Sequence, residues 1–266
     1  MATFALHTWS LDTTALADVL RVARDTGWDA VELRRIDFIR GAEAGQSEDG
    51  VLDVVKKSGL RVACVGAQSG WMFTEGDARR TKLGDVTDAC RRAAALGCPM
   101  VMSPADTTIG PLPQAAASLR EAGDIAARHG VRLAIEAGSQ SKQFNTLAAV
   151  RELLRAAAHP ACGLLVDSYH LERCGEKLPG LDGLRADEVL YVQFSDVPRA
   201  VESGKVLDRL PAGQGVVPFR EFFAAIDRIG YRGPASYEAP NPAAWSRPPA
   251  DVAREALDAA RRLVKP

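Results

Sequence analysis

The chain has 266 residues, with 33 Lys+Arg against 34 Asp+Glu, a formal net charge of −1. That balance argues against broad nucleic-acid or membrane-surface binding, which needs a basic excess or a basic face. No apolar stretch approaches the roughly 18–20 residues of a membrane span. The start, Met1–His7, lacks the charged and apolar run of a secretory leader. Five cysteines (Cys64, Cys90, Cys98, Cys162, Cys174) without CxxC spacing suggest reduced thiols in a cytoplasmic protein rather than a cysteine zinc site.

In chain order, the first strand is expected at Phe4–Trp9 and the first helix at 16–24. A phrase then recurs: an amphipathic run, a glycine, a few residues and a short apolar strand. It leads from Gly27 into Ala30–Leu33, from Gly59 into residues 61–65, from Gly97 into 99–102 and from Gly130 into 131–136. Glycine just past a helix end can take positive φ and close the last turn. These glycines lie 32, 38 and 33 residues apart, which fits one strand–helix unit per repeat. Further strands are expected at Cys162–Asp167, Val189–Phe194 and, after Gly230, at 234–238. Helices are expected at 51–57, 79–96, 112–128, 146–157 (Asn145 as N-cap), 219–228 (Pro218 in the first turn) and 250–264. Residues 169–185 and 198–218 are the least regular connections, and the second is long enough to suggest a functional loop.

Eight strands with intervening helices predict an α/β protein, a single (β/α)8 TIM barrel over residues 1–266. An open doubly wound sheet is the competitor, but the first strand–helix turn, His7–Asp12, has no GxGxxG or Walker-type glycine loop.

Barrel chemistry gathers where strands end. Those positions hold His7, Glu32, Glu136, Asp167, Gln193, Asp196 and Glu238. A carboxylate ending a buried strand is costly to desolvate unless it is paired or binds a metal. Each acid could instead cap a helix or pair with one of the 26 arginines. Glu136, Asp167 and Glu238 together with the Gln193 amide oxygen would make a hard, oxygen-rich site for Mn2+ or Mg2+. His170 follows Asp167 by three residues and reads as a substrate hydrogen-bond partner or proton carrier, or as a surface histidine. His7 is either an interior substrate contact or a core histidine. Arg199, Arg209 and Lys142 are candidates to contact an oxygen-rich substrate or phosphate, with solvated charge as the alternative. Trp9, Trp71 and Phe73 could wall a sugar face or pack in the core.

The segments Ala30-Val31-Glu32-Leu33, Leu133-Ala134-Ile135-Glu136-Ala137, Leu165-Val166-Asp167-Ser168-Tyr169-His170, Val192-Gln193-Phe194-Ser195-Asp196-Val197-Pro198 and Ser236-Tyr237-Glu238 span nearly the whole chain. In order and spacing they resemble the xylose isomerase-like TIM barrel superfamily of sugar isomerases and epimerases. The resemblance implies that Glu136, Asp167, Gln193 and Glu238 hold one divalent cation and that Glu136 and Glu238 act as an acid/base pair. Many members carry histidine where this chain has Gln193. The Gln-Phe-Ser-Asp-Val-Pro wording is closer to the hydroxypyruvate isomerase-like branch, whose usual Pro-Gly-x-Gly is replaced here by Leu210-Pro211-Ala212-Gly213-Gln214-Gly215.

The implied activity is isomerisation or epimerisation of a sugar, keto-sugar or small hydroxy-carbonyl compound through an enediolate. Substrate contacts are assigned to His170, His7, Glu32, Arg199, Arg209 and Trp9. A dehydratase of a keto-polyol, of the inosose or dehydroshikimate type, is the main alternative, because an enolate can expel a β-hydroxyl. An apurinic-site endonuclease fits less well, with only four histidines and no basic stripe. A non-catalytic barrel is the remaining reading. The expected partner is a carbohydrate-like small molecule, with neither nucleic acid nor membrane, and a homo-oligomer is compatible with the superfamily.

Overall fold

A computed structural model describes residues 3–200 and 207–264. Eight parallel strands, hydrogen-bonded in sequence order from β1 to β8, close into a barrel with helices between them. The fold is therefore the (β/α)8 barrel expected from the sequence. Contacts divide the chain into two compact units, Met1–Ala63 with Val192–Pro266, and Cys64–Tyr191, with both boundaries inside strands.

The first unit opens with β1 (Phe4–His7), α1 (Leu16–Thr26), β2 (Ala30–Leu33), α2 (Arg35–Glu43) and α3 (Glu48–Lys57). The chain passes through β3 (Arg61–Gly66) into the second unit. That unit contains α4 (Gly76–Ala95), β4 (Met100–Pro104), α5 (Leu112–Arg128), β5 (Arg132–Glu136), α6 (Leu147–Ala157), β6 (Cys162–Asp167) and α7 (Ser168–Arg173). Through β7 (Val189–Phe194) the chain returns to the first unit, with α8 (Phe219–Ile229), β8 (Ala235–Tyr237), α9 (Pro242–Trp245) and α10 (Pro249–Val264).

Strands buried on both faces read as continuous apolar runs rather than alternating ones, and β1, β2 and β7 are buried at every residue. In the first unit His7 lies opposite Glu32, and Gln193 opposite Ser236. An aromatic cluster of Phe4, Phe194, Phe219, Phe223 and Tyr237 fills this side, with Phe194 5.6–5.7 Å from the Phe4 and Tyr237 ring centres. In the second unit Pro104 lies opposite Glu136, and Glu136 opposite Leu165. There α5 turns the small residues Ala115, Ala116, Ala122 and Ala126 inward, which suits close packing.

The recurring glycines behave as expected: Gly27 and Gly230 cap α1 and α8 with φ of 88° and 89°. Several expectations need correction. β1 stops at His7, because the His7 side chain caps a 3-10 turn over Thr8–Leu11 by accepting from the Trp9 N–H. Thr146, not Asn145, caps α6, its hydroxyl accepting from the Ala149 N–H. Pro218 is the N-cap residue of α8 and not part of its first turn. The helices α2, α7 and α9 were not foreseen; two of them span six residues or fewer, too short to show a helical period. Within the irregular 198–218 connection, residues 201–206 lie outside the described residues. Among the described residues, no helix is long and apolar enough to cross a membrane.

Candidate active site

In the second unit, β5 runs from an exposed Arg132 to a Glu136 that is only 5% exposed, so the strand carries its carboxylate inward at its end. β6 ends likewise at buried Asp167. One oxygen of Asp167, Oδ1, caps α7 by accepting from the Tyr169 N–H at 2.9 Å. The capping alternative is thus real for this residue, yet its other oxygen is engaged elsewhere. The first turn of α7 brings His170 back over the strand ends, with Nε2 3.7 Å from Asp167 Oδ2 and 3.4 Å from Glu136 Oε1.

On the opposite edge of that ring, the Ser139 N–H donates to His170 Nδ1 at 3.0 Å, with the Ser139 hydroxyl 2.9 Å away. A backbone N–H can only donate, so Nδ1 must accept and the neutral ring carries its proton on Nε2. His170 therefore presents an N–H to the two carboxylates.

Donor atoms of Glu136, Asp167 and His170 all lie within 4.8 Å of one another, and all three residues are buried. Two converging carboxylates fit a divalent cation, for which oxygen donors suit Mg2+ or Mn2+, while the Nε2–H keeps His170 out of the ligand set.

The first unit holds a second buried cluster: His7 at the end of β1, Glu32 in β2, Gln193 in β7, and Glu238 directly after β8. His7 Nδ1 accepts from the Trp9 N–H at 3.1 Å. Its Nε2 lies 3.7 Å from Glu32 Oε1 and 3.6 Å from Glu238 Oε1. Burial, with Arg34 and Arg209 nearby, holds this imidazole well below its ordinary pKa of 6.5, so it is neutral. Gln193 donates through Nε2 to Glu32 Oε1 at 2.9 Å. That bond orients the amide, and Gln193 Oε1 is left buried with no hydrogen-bond partner among the described residues. A buried carbonyl oxygen without a donor is a suitable metal or substrate acceptor.

Arg209, treated as exposed charge in one sequence reading, is 5% exposed. Its Nη1 donates to Glu238 Oε2 at 3.0 Å and to the Glu238 carbonyl at 3.2 Å. The ion-pair alternative therefore holds for Glu238, whose Oε1 still faces His7. Arg199 is exposed and Trp9 half-buried. Trp71 is core: it is fully buried and its indole N–H donates to the Ser103 hydroxyl. Phe73 stacks on Phe144.

Asp196 organises a loop. Its carboxylate accepts from the N–H groups of Val197, Gly213, Gly215 and Val217 at 2.7–2.9 Å. Only glycine fits at 215, where a Cβ would stand 2.1 Å from the Val197 carbonyl oxygen.

Sequence reasoning missed Ser139 and Arg34. Ser139 acts on a residue 31 positions away. Arg34 ion-pairs Asp12 at 2.7 Å and lies 5.8 Å over the Trp9 ring, a contact that no short motif announces.

A family profile described as xylose isomerase-like TIM barrel matches residues 20–263. The chain belongs to this family. Over 125 residues, 45% of this chain, it is 34% identical to the 3-dehydroshikimate dehydratase of Pseudomonas putida. The match spans about a fifth (19%) of the length of the dehydratases it aligns with. Among solved structures of the family's fold, the IolI protein with a bound zinc atom superposes at TM-score 0.89 and 18% identity, covering 99% of this chain and 98% of that one. The 3-keto-D-glucoside 4-epimerase YcjR of E. coli superposes at 0.76 and 18% identity, covering 98% and 100%. At such identities these two likenesses bear on the fold.

Proposed function

We propose that this barrel is a divalent-cation-dependent dehydratase of a cyclic hydroxy-ketone acid of the 3-dehydroshikimate type. The observation that carries the chemistry is the buried Glu136–His170–Asp167 cluster, in which one imidazole N–H faces two carboxylates. Sequence likeness to 3-dehydroshikimate dehydratases supports water loss over epimerisation as the outcome.

Glu136 and Asp167 would hold the cation. In the first unit, Gln193 Oε1 is a further buried acceptor without a hydrogen-bond partner among the described residues. The cation, when bound, polarises the substrate carbonyl and acidifies the neighbouring C–H. Glu136 takes that proton as general base. His170 donates a hydrogen bond from Nε2–H to the departing β-hydroxyl, and the proton held by Glu136 passes to that hydroxyl, which leaves as water and restores the carboxylate. Ser139 holds the ring in the tautomer this requires.

Isomerisation or epimerisation is the second reading, resting on the motif resemblance to sugar isomerases and epimerases. The five free cysteines support a cytoplasmic location, where thiols stay reduced.

The test is incubation of metal-loaded protein with 3-dehydroshikimate and with a ketose panel, followed by mass spectrometry and NMR. Loss of one water from the acid supports the dehydratase. Epimer formation from a ketose, without water loss, moves the assignment to the second reading. Turnover insensitive to chelators overturns both.

A further inference from the structure

At the opposite end of β5 and β6 from Glu136 and Asp167 lies a cavity of about 400 Å³. It is lined by Arg132, Arg151, Arg155, Arg185, Asp187 and Glu188, with Cys162 and Leu164 among its walls. That volume is in the range that small ligands occupy. Arg132 opens β5 and Glu136 closes it, which separates cavity and acid cluster by about 13 Å at 3.3 Å per residue.

The charges do not balance. Four guanidinium groups face two carboxylates, and both carboxylates are committed. Arg185 takes Asp187 through two bonds of 3.0 and 3.2 Å. Arg151 Nη2 takes Glu188 at 3.1–3.2 Å. Arg155 donates its Nε to the Arg151 carbonyl, which carries no formal charge. Arg132 and Arg155 have no carboxylate partner among the described residues. The Nε of Arg151 is also buried with no hydrogen-bond partner among them. The wall of the cavity therefore offers a buried N–H donor together with two cations that no carboxylate among the described residues hydrogen-bonds, and four cations against two acids leave it net positive.

Guanidinium is weakly hydrated, and its planar fork matches carboxylate and phosphate oxygens. We propose that this cavity binds a small oxyanion-bearing metabolite, a carboxylate or a phosphate compound, at a site separate from the acid cluster.

The test is calorimetric titration of the full chain with inorganic phosphate and, separately, with citrate, at constant chloride. Saturable binding of either probe is expected, and which probe binds tells phosphate from carboxylate. The double variant Arg132→Gln/Arg155→Gln should weaken that binding by about tenfold or more, a difference of one decade in Kd. Its melting temperature and its divalent-metal binding should stay unchanged. Should the double variant melt early, the single change at exposed Arg132 still has to weaken binding. Three results overturn the proposal: no saturable binding of either anion, equal affinity in wild type and variants, or loss of the same binding in Glu136→Gln.

Discussion

Two histidines, one in each unit, are held by the same device and sit in different electrostatic company. His7 and His170 both accept a backbone N–H at Nδ1, from Trp9 and Ser139, and both turn Nε2 toward two buried carboxylates. Around His7, however, Arg209 grips Glu238 and Gln193 donates to Glu32, so those acids already have strong hydrogen-bond donors. Around His170, the acids are the ends of two neighbouring strands, with donor atoms close enough to share one cation. Both rings thus carry Nε2–H, and what differs is what that N–H faces: acids already held by Arg209 and Gln193 around His7, and a pair of acids that can share a cation around His170. The surrounding charges make the difference, not the histidine itself.

The comparison can be broken most sharply at the acids. Glu136→Gln should lower turnover by about 10²–10⁴-fold and reduce metal content measured by elemental analysis, whereas Glu32→Gln should retain most of the metal. Equal metal loss in both variants would remove the distinction between the clusters. Next in size is Arg209→Gln, which strips a buried carboxylate of its cation and should cost about 3–5 kcal/mol in denaturant unfolding. Arg209→Lys should recover part of that loss, since it restores charge without the planar fork.

The histidines themselves should separate by kinetics. His170→Asn should lower kcat by about 10²-fold, in the range of a lost hydrogen-bond donor to developing charge, and His7→Asn much less; a larger loss at His7 would reverse the assignment.

A smaller effect follows from pH. The His7 imidazole stays neutral in the fold because burial, Arg34 and Arg209 hold its pKa well below 6.5, while in the unfolded chain it protonates near 6.5. The unfolded state therefore binds the extra proton, and stability should fall as pH drops below that value, by up to about 1.4 kcal/mol per unit. His7→Asn should remove this slope from unfolding curves of chelator-treated protein. Smallest of all, burial pushes the Cys90 and Cys162 thiols up to about 12. Both should label slowly at pH 8 until the chain is unfolded.

The architecture was legible because it is written locally. Glycines at 27, 59, 97 and 130 end helices through their own backbone freedom, and the apolar runs after them are strands whatever their neighbours do. The acids at 136, 167 and 238 were legible for a related reason: a carboxylate closing a buried run is conspicuous. Thr146 displaced Asn145 as a cap because adjacent capping residues compete, and backbone geometry chooses between them. Arg209 offered no local sign of burial, since its partner Glu238 is 29 residues away. Ser139 was silent for the same reason.

By itself the sequence determined that this chain alternates strands and helices eight times and ends several strands in acids, because period, punctuation and solvation cost are properties of short segments. Tertiary structure decided which nitrogen of each histidine carries the proton, which acid is gripped by an arginine, and which amide oxygen is left without a donor. Those outcomes depend on hydrogen bonds between residues up to 161 positions apart, and a hydrogen bond forms only when the fold brings donor and acceptor within about 3 Å.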